Sequence, residues 1–424
     1  MLSFNFYLSA NNYFVAHISF IFYFILCSWL VTKINFFKNS GLNKYWLIGL
    51  FTLKVFAGIL YGFFYALPSY YATSDTWHFF ELSKNETDWL FRDPLSFVKD
   101  IFVYGYKTQG NLFIGNNSYW NDLKDNLIIK LMALCNVLSL KNYYTNVIIL
   151  NFLYFLGPVA FFRIIRNYVN TNLLVILSIF CIPSFLFWCS GAHKDGLIFT
   201  CLALFIYFLH EQIKNRRTGI WTLIKCLFFY LLVFVLRNFL AILLVPAVFS
   251  WILIEIFKVK KIYAFAITYF VCLLLFFGSS FLGASFNMPG YIVEKQSEFK
   301  QLQGNSQIIV PELHDNIESF FKYLPIAIDI SFFRPHITEV KNFTYLPAII
   351  ESYFLYGIIL ISLFQKPKNI AGSFFLFCIF YSLSVLLLEG YTITFSGAIV
   401  RYKSIILPML FTPFINFDTL KKKA

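Results

Sequence analysis

Runs of about twenty apolar residues recur along this chain, separated by short polar stretches, and they lack the polar face that a soluble amphipathic helix would show. The runs lie near 12–32, 45–67, 143–165, 172–190, 195–211, 219–236, 238–257, 262–283, 345–364, 371–388 and 396–417. About twenty helical residues cross a hydrocarbon layer of about 30 Å. The pattern therefore predicts an all-α integral membrane protein with about eleven transmembrane helices. Two longer stretches, 68–142 and 284–344, interrupt the alternation and mix aromatic residues with charge, as in Trp89-Leu90-Phe91 and Phe320-Phe321-Lys322-Tyr323-Leu324. They predict extracytoplasmic loops carrying amphipathic helices at the headgroup level. Within the first, Asn126 to Leu140 reads as one more interfacial helix or a re-entrant one. Nothing in the pattern divides 1–424, which reads as a single polytopic membrane domain.

Charge orients this arrangement. Clusters of Lys and Arg follow alternate runs: Lys33, Lys38 and Lys44; Arg163 and Arg166; Lys214, Arg216 and Arg217; Lys258, Lys260 and Lys261; Lys366 and Lys368; Lys421 to Lys423. All are cytoplasmic if the N-terminus lies outside and the C-terminus inside. Both long loops then lie outside. Composition agrees: 59% of residues are hydrophobic and 13% charged, against about 25% charged in soluble domains. The net charge of +13 resides in these clusters, so it points to membrane lipid as a partner and not to nucleic acid. The first run ends at Lys33 without a small-residue cleavage site, so it reads as a retained span. Eight cysteines lie in apolar runs without metal-ligand spacing, which reads as small buried hydrophobes.

Polar residues inside so apolar a chain carry the candidate chemistry. The stretches 172–210 and 219–257 are each about two spans long and are interrupted by charge, so both read as hairpins with an outer tip. The first tip holds His193-Lys194-Asp195, where Asp195 can cap the descending helix and Lys194 is either a solvated loop lysine or an anion ligand at a helix N-terminus. The second is Arg237-Asn238, placing Arg237 at or slightly inside the outer interface, as a snorkelling or a functional arginine. In the first loop, a helix capped by Ser74 sets Asp75 and His78 three apart on one face. Asp75 is then a general base, a metal ligand or simply a carboxylate favourable to the helix dipole. The second loop ends in Arg334-Pro335-His336, apt for a phosphate of a substrate or a lipid headgroup. Arg401 and Lys403 fall inside the last run, since the 14 residues from Ser404 to Phe417 are too few to cross alone. Ionisable groups there usually line a cavity or meet a partner, and Glu389 is a candidate partner. Lys194, Arg237, Arg334, His336, Arg401 and Lys403 thus compose a phosphate-binding set, with Asp75 and His78 as the catalytic pair. Toward the inner halves only Lys54, Lys225 and Glu255 are ionisable, each near enough to the inner face to snorkel.

The segments Phe187 to Asp195, Phe333-Arg334-Pro335-His336 and Gly397 to Lys403 resemble signature segments of bacterial polytopic proteins of cell-surface polysaccharide assembly. Asp75-Thr76-Trp77-His78 resembles the first-loop aspartate of GT-C glycosyltransferases, although the Asp-Glu or Asp-x-Asp pair of several such families is absent. The resemblance implies transfer of a sugar from a polyprenyl-phosphate carrier to an extracytoplasmic glycan, lipid or protein acceptor. Asp75 would deprotonate the acceptor, the basic residues would hold the leaving phosphate, and His78 would orient Asp75 or complete a divalent metal site. A polysaccharide repeat-unit polymerase, and a transporter or flippase for lipid-linked glycan, are the competing expectations. The one-sided distribution of polar groups favours an enzyme over a carrier.

Overall fold

A computed structural model describes residues 2–102, 118–215, 219–283, 286–302, 304, 306–340, 343–365 and 372–415. Among them no strand forms, and a single isolated bridge pairs Gln307 with Phe395. The principal helices are α1 (Leu2–Lys33), α2 (Lys44–Ala66), α3 (Asp75–Arg92), α4 (Pro94–Lys99), α5 (Tyr119–Ser139), α6 (Tyr143–Tyr154), α7 (Leu156–Ile165), α8 (Leu173–Phe180), α9 (Pro183–Trp188), α10 (Lys194–Asn215), α11 (Ile220–Leu236), α12 (Asn238–Glu255), α13 (Lys261–Gly278), α14 (Met288–Gln301), α15 (Ile317–Ile328), α16 (Leu346–Gln365), α17 (Ser373–Thr392), α18 (Ser396–Ser404) and α19 (Leu407–Ile415).

Eight segments are long and apolar enough to cross a membrane: Val15–Lys33, Lys44–Ala66, Tyr143–Ile165, Lys194–Lys214, Asn238–Glu255, Lys261–Leu282, Phe343–Ser362 and Ser373–Thr392. This is consistent with a multi-pass membrane protein in contact with lipid. Each coincides with one of the eleven apolar runs. The remaining three runs take other forms. The run at 219–236 is α11, apolar but only 17 residues long. The run at 172–190 breaks into α8 and α9, because Pro183 has no N–H to extend α8 and disfavours helix at Ile182 before it. The last run starts at Ser396 as expected, but α18 and α19 meet at a 64° bend. Of the basic clusters, Arg216, Arg217, Lys366, Lys368 and Lys421 to Lys423 lie outside the described residues, as does Phe417.

The chain packs as two units. The first comprises Met1–Ile164, Leu186–Phe208 and Ile224–Arg237, the second Ile165–Phe185, Leu209–Leu223 and Asn238–Ala424. In the first, α1, α2 and α6 pack against one another, while α3 and α5 pack together in the first long loop. Asn126 to Leu140 is the greater part of α5. On α3 the residues Thr76, Phe79, Phe80, Ser83 and Thr87 are buried, the spacing of one helical face, and Phe79 and Phe80 join Ile128, Met132, Tyr143, Val147 and Leu150 in one core. Between α6 and α7, Pro158 cannot donate to the carbonyl of Tyr154; Thr200 Oγ1 takes that acceptor instead, at 3.1 Å.

In the second unit, α17 is central: α12, α14, α15 and α19 all pack on it. Trp251, Phe374, Phe377 and Tyr381 are fully buried there, and Gly390 is required where α17 meets α15, since a Cβ would come within 2.0 Å of Ala327 O.

Candidate functional site

The candidate residues divide between the units: Asp75, His78, Lys194 and Arg237 in the first, Arg334, His336, Arg401 and Lys403 in the second.

Ser74 caps α3 as its sequence position predicts, its side chain accepting from Trp77 N–H. Asp75 and His78 stand on the exposed face of the first turn. The opposite face fixes that turn in place. Thr76 Oγ1 donates to Ala192 O at 2.7 Å and lies 2.8 Å from the Tyr143 hydroxyl. Trp77 Nε1 donates to Gly62 O at 3.1 Å, and its ring stacks on Tyr143 with centroids 4.0 Å apart. Asp75 therefore projects from a rigid turn joined to the loop that precedes α10.

That loop is the most heavily anchored polar segment of the unit. Lys54 Nζ donates to Cys189 O at 2.7 Å and to Ser190 Oγ at 3.1 Å. Asn151 Nδ2 donates to Ser190 O at 2.7 Å, and the Tyr154 hydroxyl to His193 O at 3.0 Å. Close approach is built in at Gly58, where a Cβ would lie 2.4 Å from Ser190 O, and at Gly191, where it would lie 2.5 Å from the Tyr61 ring. Lys54 sits about 15 Å along α2 from Lys44 and about 18 Å from Ala66 at 1.5 Å per residue. Cys189 and Ser190 thus lie level with the middle of α2, while Ala192, two residues on, reaches Thr76 at the start of α3. Lys54 does not snorkel to an end of its helix: it is 2% exposed and turned onto the loop.

Asp195 also departs from expectation. Its backbone N–H is capped by His193 Nδ1 at 2.9 Å, while its carboxylate accepts from Arg237 Nη2 at 2.9 Å through Oδ1 and lies 3.1 Å from His193 Nε2 through Oδ2. His193 and Asp195 are fully buried, and Arg237 is 8% exposed. Arg237 is therefore a buried ion-pair partner and not a snorkelling residue. Lys194, between them in sequence, points elsewhere: Nζ meets Asp125 Oδ1 of α5 at 2.7 Å and stands 5.7 Å from the centre of the Phe79 ring. Phe79 lies one helical turn along α3 from Asp75.

In the second unit, Arg334 Nε meets Asp329 Oδ2 at 3.0 Å, Arg334 Nη1 meets Glu339 Oε1 at 2.6 Å, and His336 Nε2 meets Asp329 Oδ1 at 2.9 Å. Glu339 also closes on His336 through the backbone, its Oε2 accepting from His336 N–H at 3.1 Å and its own N–H donating to the His336 carbonyl at 3.0 Å. The Arg334–Pro335 bond is cis. Burial pushes the Tyr323 phenol upward, with the Arg334 charge opposing, so it stays neutral beside this cluster. Lys403 Nζ, 2% exposed, donates to Arg334 O at 3.1 Å and to Ser352 Oγ at 3.2 Å. Glu351 accepts from Ser184 N–H at 2.6 Å and from its hydroxyl. Arg401 is half-buried on α18, and Glu389 is buried on α17.

Sequence reasoning missed Asp125 and Glu351, whose partners Lys194 and Ser184 lie far away in sequence, and Asp329, which is only five residues from Arg334. Glu339 lies three residues after His336, near enough in sequence to return its carboxylate to the His336 N–H. Among the described residues no three His, Cys, Asp or Glu side chains are grouped to hold a metal ion. No protein-family model, curated protein or solved structure matches the chain.

Proposed function

We propose that the chain is a GT-C-like glycosyltransferase of a bacterial cell membrane, moving a sugar from a polyprenyl-phosphate carrier to an extracytoplasmic acceptor in polysaccharide assembly. The observation that carries this reading is the exposed Asp75 on a fixed turn of α3, with the Lys194 ammonium against Phe79 one turn away. A general base and a cation at neighbouring positions are what such a transfer needs. The acceptor hydroxyl gives its proton to Asp75 and its oxygen bonds to the anomeric carbon. The bond from that carbon to the phosphate oxygen breaks, and Lys194 stabilises the charge that develops on the phosphate. His78, on the same face, orients Asp75. We place eleven segments in the membrane: the eight long helices, α11, the bent pair α18–α19, and α8 with α9. The α8–α10 hairpin leaves and returns to one side, so the depth of its tip does not disturb the alternation of positive clusters. The N-terminus is outside and the C-terminus cytoplasmic.

A transporter or flippase for lipid-linked glycan is the second reading, favoured by the position of Lys54. A buried ionisable residue at mid-helix, holding a loop between helices, is the setting in which carriers place their sites. The two readings separate in cells carrying wild type, a deletion or Asp75→Asn at matched membrane abundance. The transferase reading predicts loss of surface glycan with lipid-linked donor accumulating in both mutants. An effect of the deletion alone removes Asp75 from the chemistry and favours the carrier.

A further inference from the structure

Lys194 and Lys130 are both lysines of the first unit facing carboxylates on neighbouring helices, and their surroundings differ in kind. Lys130 lies between two carboxylates, Glu86 at 2.7 Å and Asp100 at 2.9 Å, with the rings of Trp89 and Phe97 at 4.5 and 4.2 Å, and its side chain is 4% exposed. It is enclosed on every side and ties α3, α4 and α5 together. Lys194 has one charged partner among the described residues, Asp125, and one ring, Phe79; the two charged side chains are 14% and 36% exposed. A pair with a single contact, open to solvent at its carboxylate, exchanges partners readily, since exposed ion pairs are weak.

We infer that Asp125 is a resident counter-ion of the Lys194 site, displaced when a phosphate arrives. This rests on the anion-binding role proposed above for Lys194. The carboxylate holds the ammonium in place while the site is empty and sets the threshold for entry. A ligand must exceed one carboxylate in charge or in contacts, which a phosphate monoester or a pyrophosphate does and a singly charged phosphodiester does not, so the intact donor, itself a phosphodiester, leaves the pair in place and the ammonium passes to the phosphate as the sugar departs. Asp125 is therefore a specificity-determining residue: it excludes bulk lipid from a site that opens beside the bilayer. It sits 69 residues from Lys194 in sequence, on α5, so its release frees Lys194 without breaking the anchors of the Cys189–His193 loop, none of which involves Asp125.

Calorimetric titration of the full chain in nanodiscs tests this, with inorganic pyrophosphate in one arm and a polyprenyl monophosphate in the other, alongside unfolding temperatures to confirm folding. Asp125→Asn is expected to bind roughly three- to tenfold more tightly than wild type, Asp125→Glu to match wild type, and Lys194→Gln to lose binding with or without Asp125→Asn. Tightening in the lipid arm alone identifies a lipid-linked phosphate, and tightening in both identifies the phosphate itself as the ligand. Unchanged or weaker binding by Asp125→Asn, with Lys194→Gln still defective, overturns the counter-ion role and leaves the anion site standing. Wild-type binding by Lys194→Gln, or no binding by any variant, overturns the anion site and this inference with it.

Discussion

Asp195 shows how a buried charge fixes the geometry of its neighbours in this chain. Its two carboxylate oxygens face Arg237 and His193, so the residue after Lys194 is immobilised from two directions while Lys194 turns outward. A buried ion pair contributes little against an apolar replacement of both partners but leaves a costly lone charge when one partner is removed. Arg237→Leu should therefore lower stability by about 3–5 kcal/mol, and the double variant Arg237→Leu with Asp195→Leu should recover much of that loss, as read from unfolding temperatures in detergent. A double variant no more stable than the single would show that the pair is not the unit of stabilisation. Lys54→Met removes the donor to Cys189 O and Ser190 Oγ and keeps the bulk, so a loss of about 1–3 kcal/mol is expected. Asp75 makes a contrasting case: it is exposed, and Asp75→Asn should leave the unfolding temperature unchanged while slowing sugar transfer by roughly 10²- to 10⁴-fold. A fall in stability with activity retained would assign Asp75 to the helix terminus and not to catalysis.

At the level of elements, the apolar period was sufficient for the long helices and insufficient for the broken ones. Runs such as 45–67 and 238–257 became single helices close to their predicted ends because twenty apolar residues have one way of satisfying their backbone in hydrocarbon. The run at 172–190 has the same composition, yet Pro183 splits it, and the last run bends between Ser404 and Leu407. Of the candidate site, the Ser74 cap and the Asp75–His78 face were legible because they depend on residues three apart. The depth of the Cys189–His193 loop was not, because it is set by Lys54, 135 residues away. The carboxylate opposite Lys194 was hidden for a similar reason, since a helix face carries no mark of which helix it will meet, whereas those opposite Arg334 are each five residues away and local in sequence. The loop depth is open to test. A cysteine at Ser190 should resist membrane-impermeant thiol reagents from either side, whereas one at Ile309, which is 99% exposed, should react from outside intact cells. Ready labelling at Ser190 from outside would return the loop to the surface.

At the scale of the whole molecule, each of the two units carries a helix with an open apolar surface. The outer surfaces of α1 and α13 are apolar and open, with Ile18, Ile21, Phe22, Ile25, Ile262, Ile267, Phe270 and Leu274 exposed, as lipid-contacting helices require. Lys194, Arg237, Arg334 and His336 each face a carboxylate of their own unit, so an anion at any of them must compete with a carboxylate already in place. The most direct test is reconstitution of the purified chain in liposomes containing a polyprenyl-phosphate-linked sugar and an acceptor glycan, followed by measurement of free polyprenyl phosphate released on the extracytoplasmic side. Wild type should release it in proportion to glycan formed, and Asp75→Asn should bind the donor without releasing it. Movement of intact glycolipid across the bilayer with no release, equal in wild type and Asp75→Asn, would contradict the enzymatic reading and establish the carrier in its place.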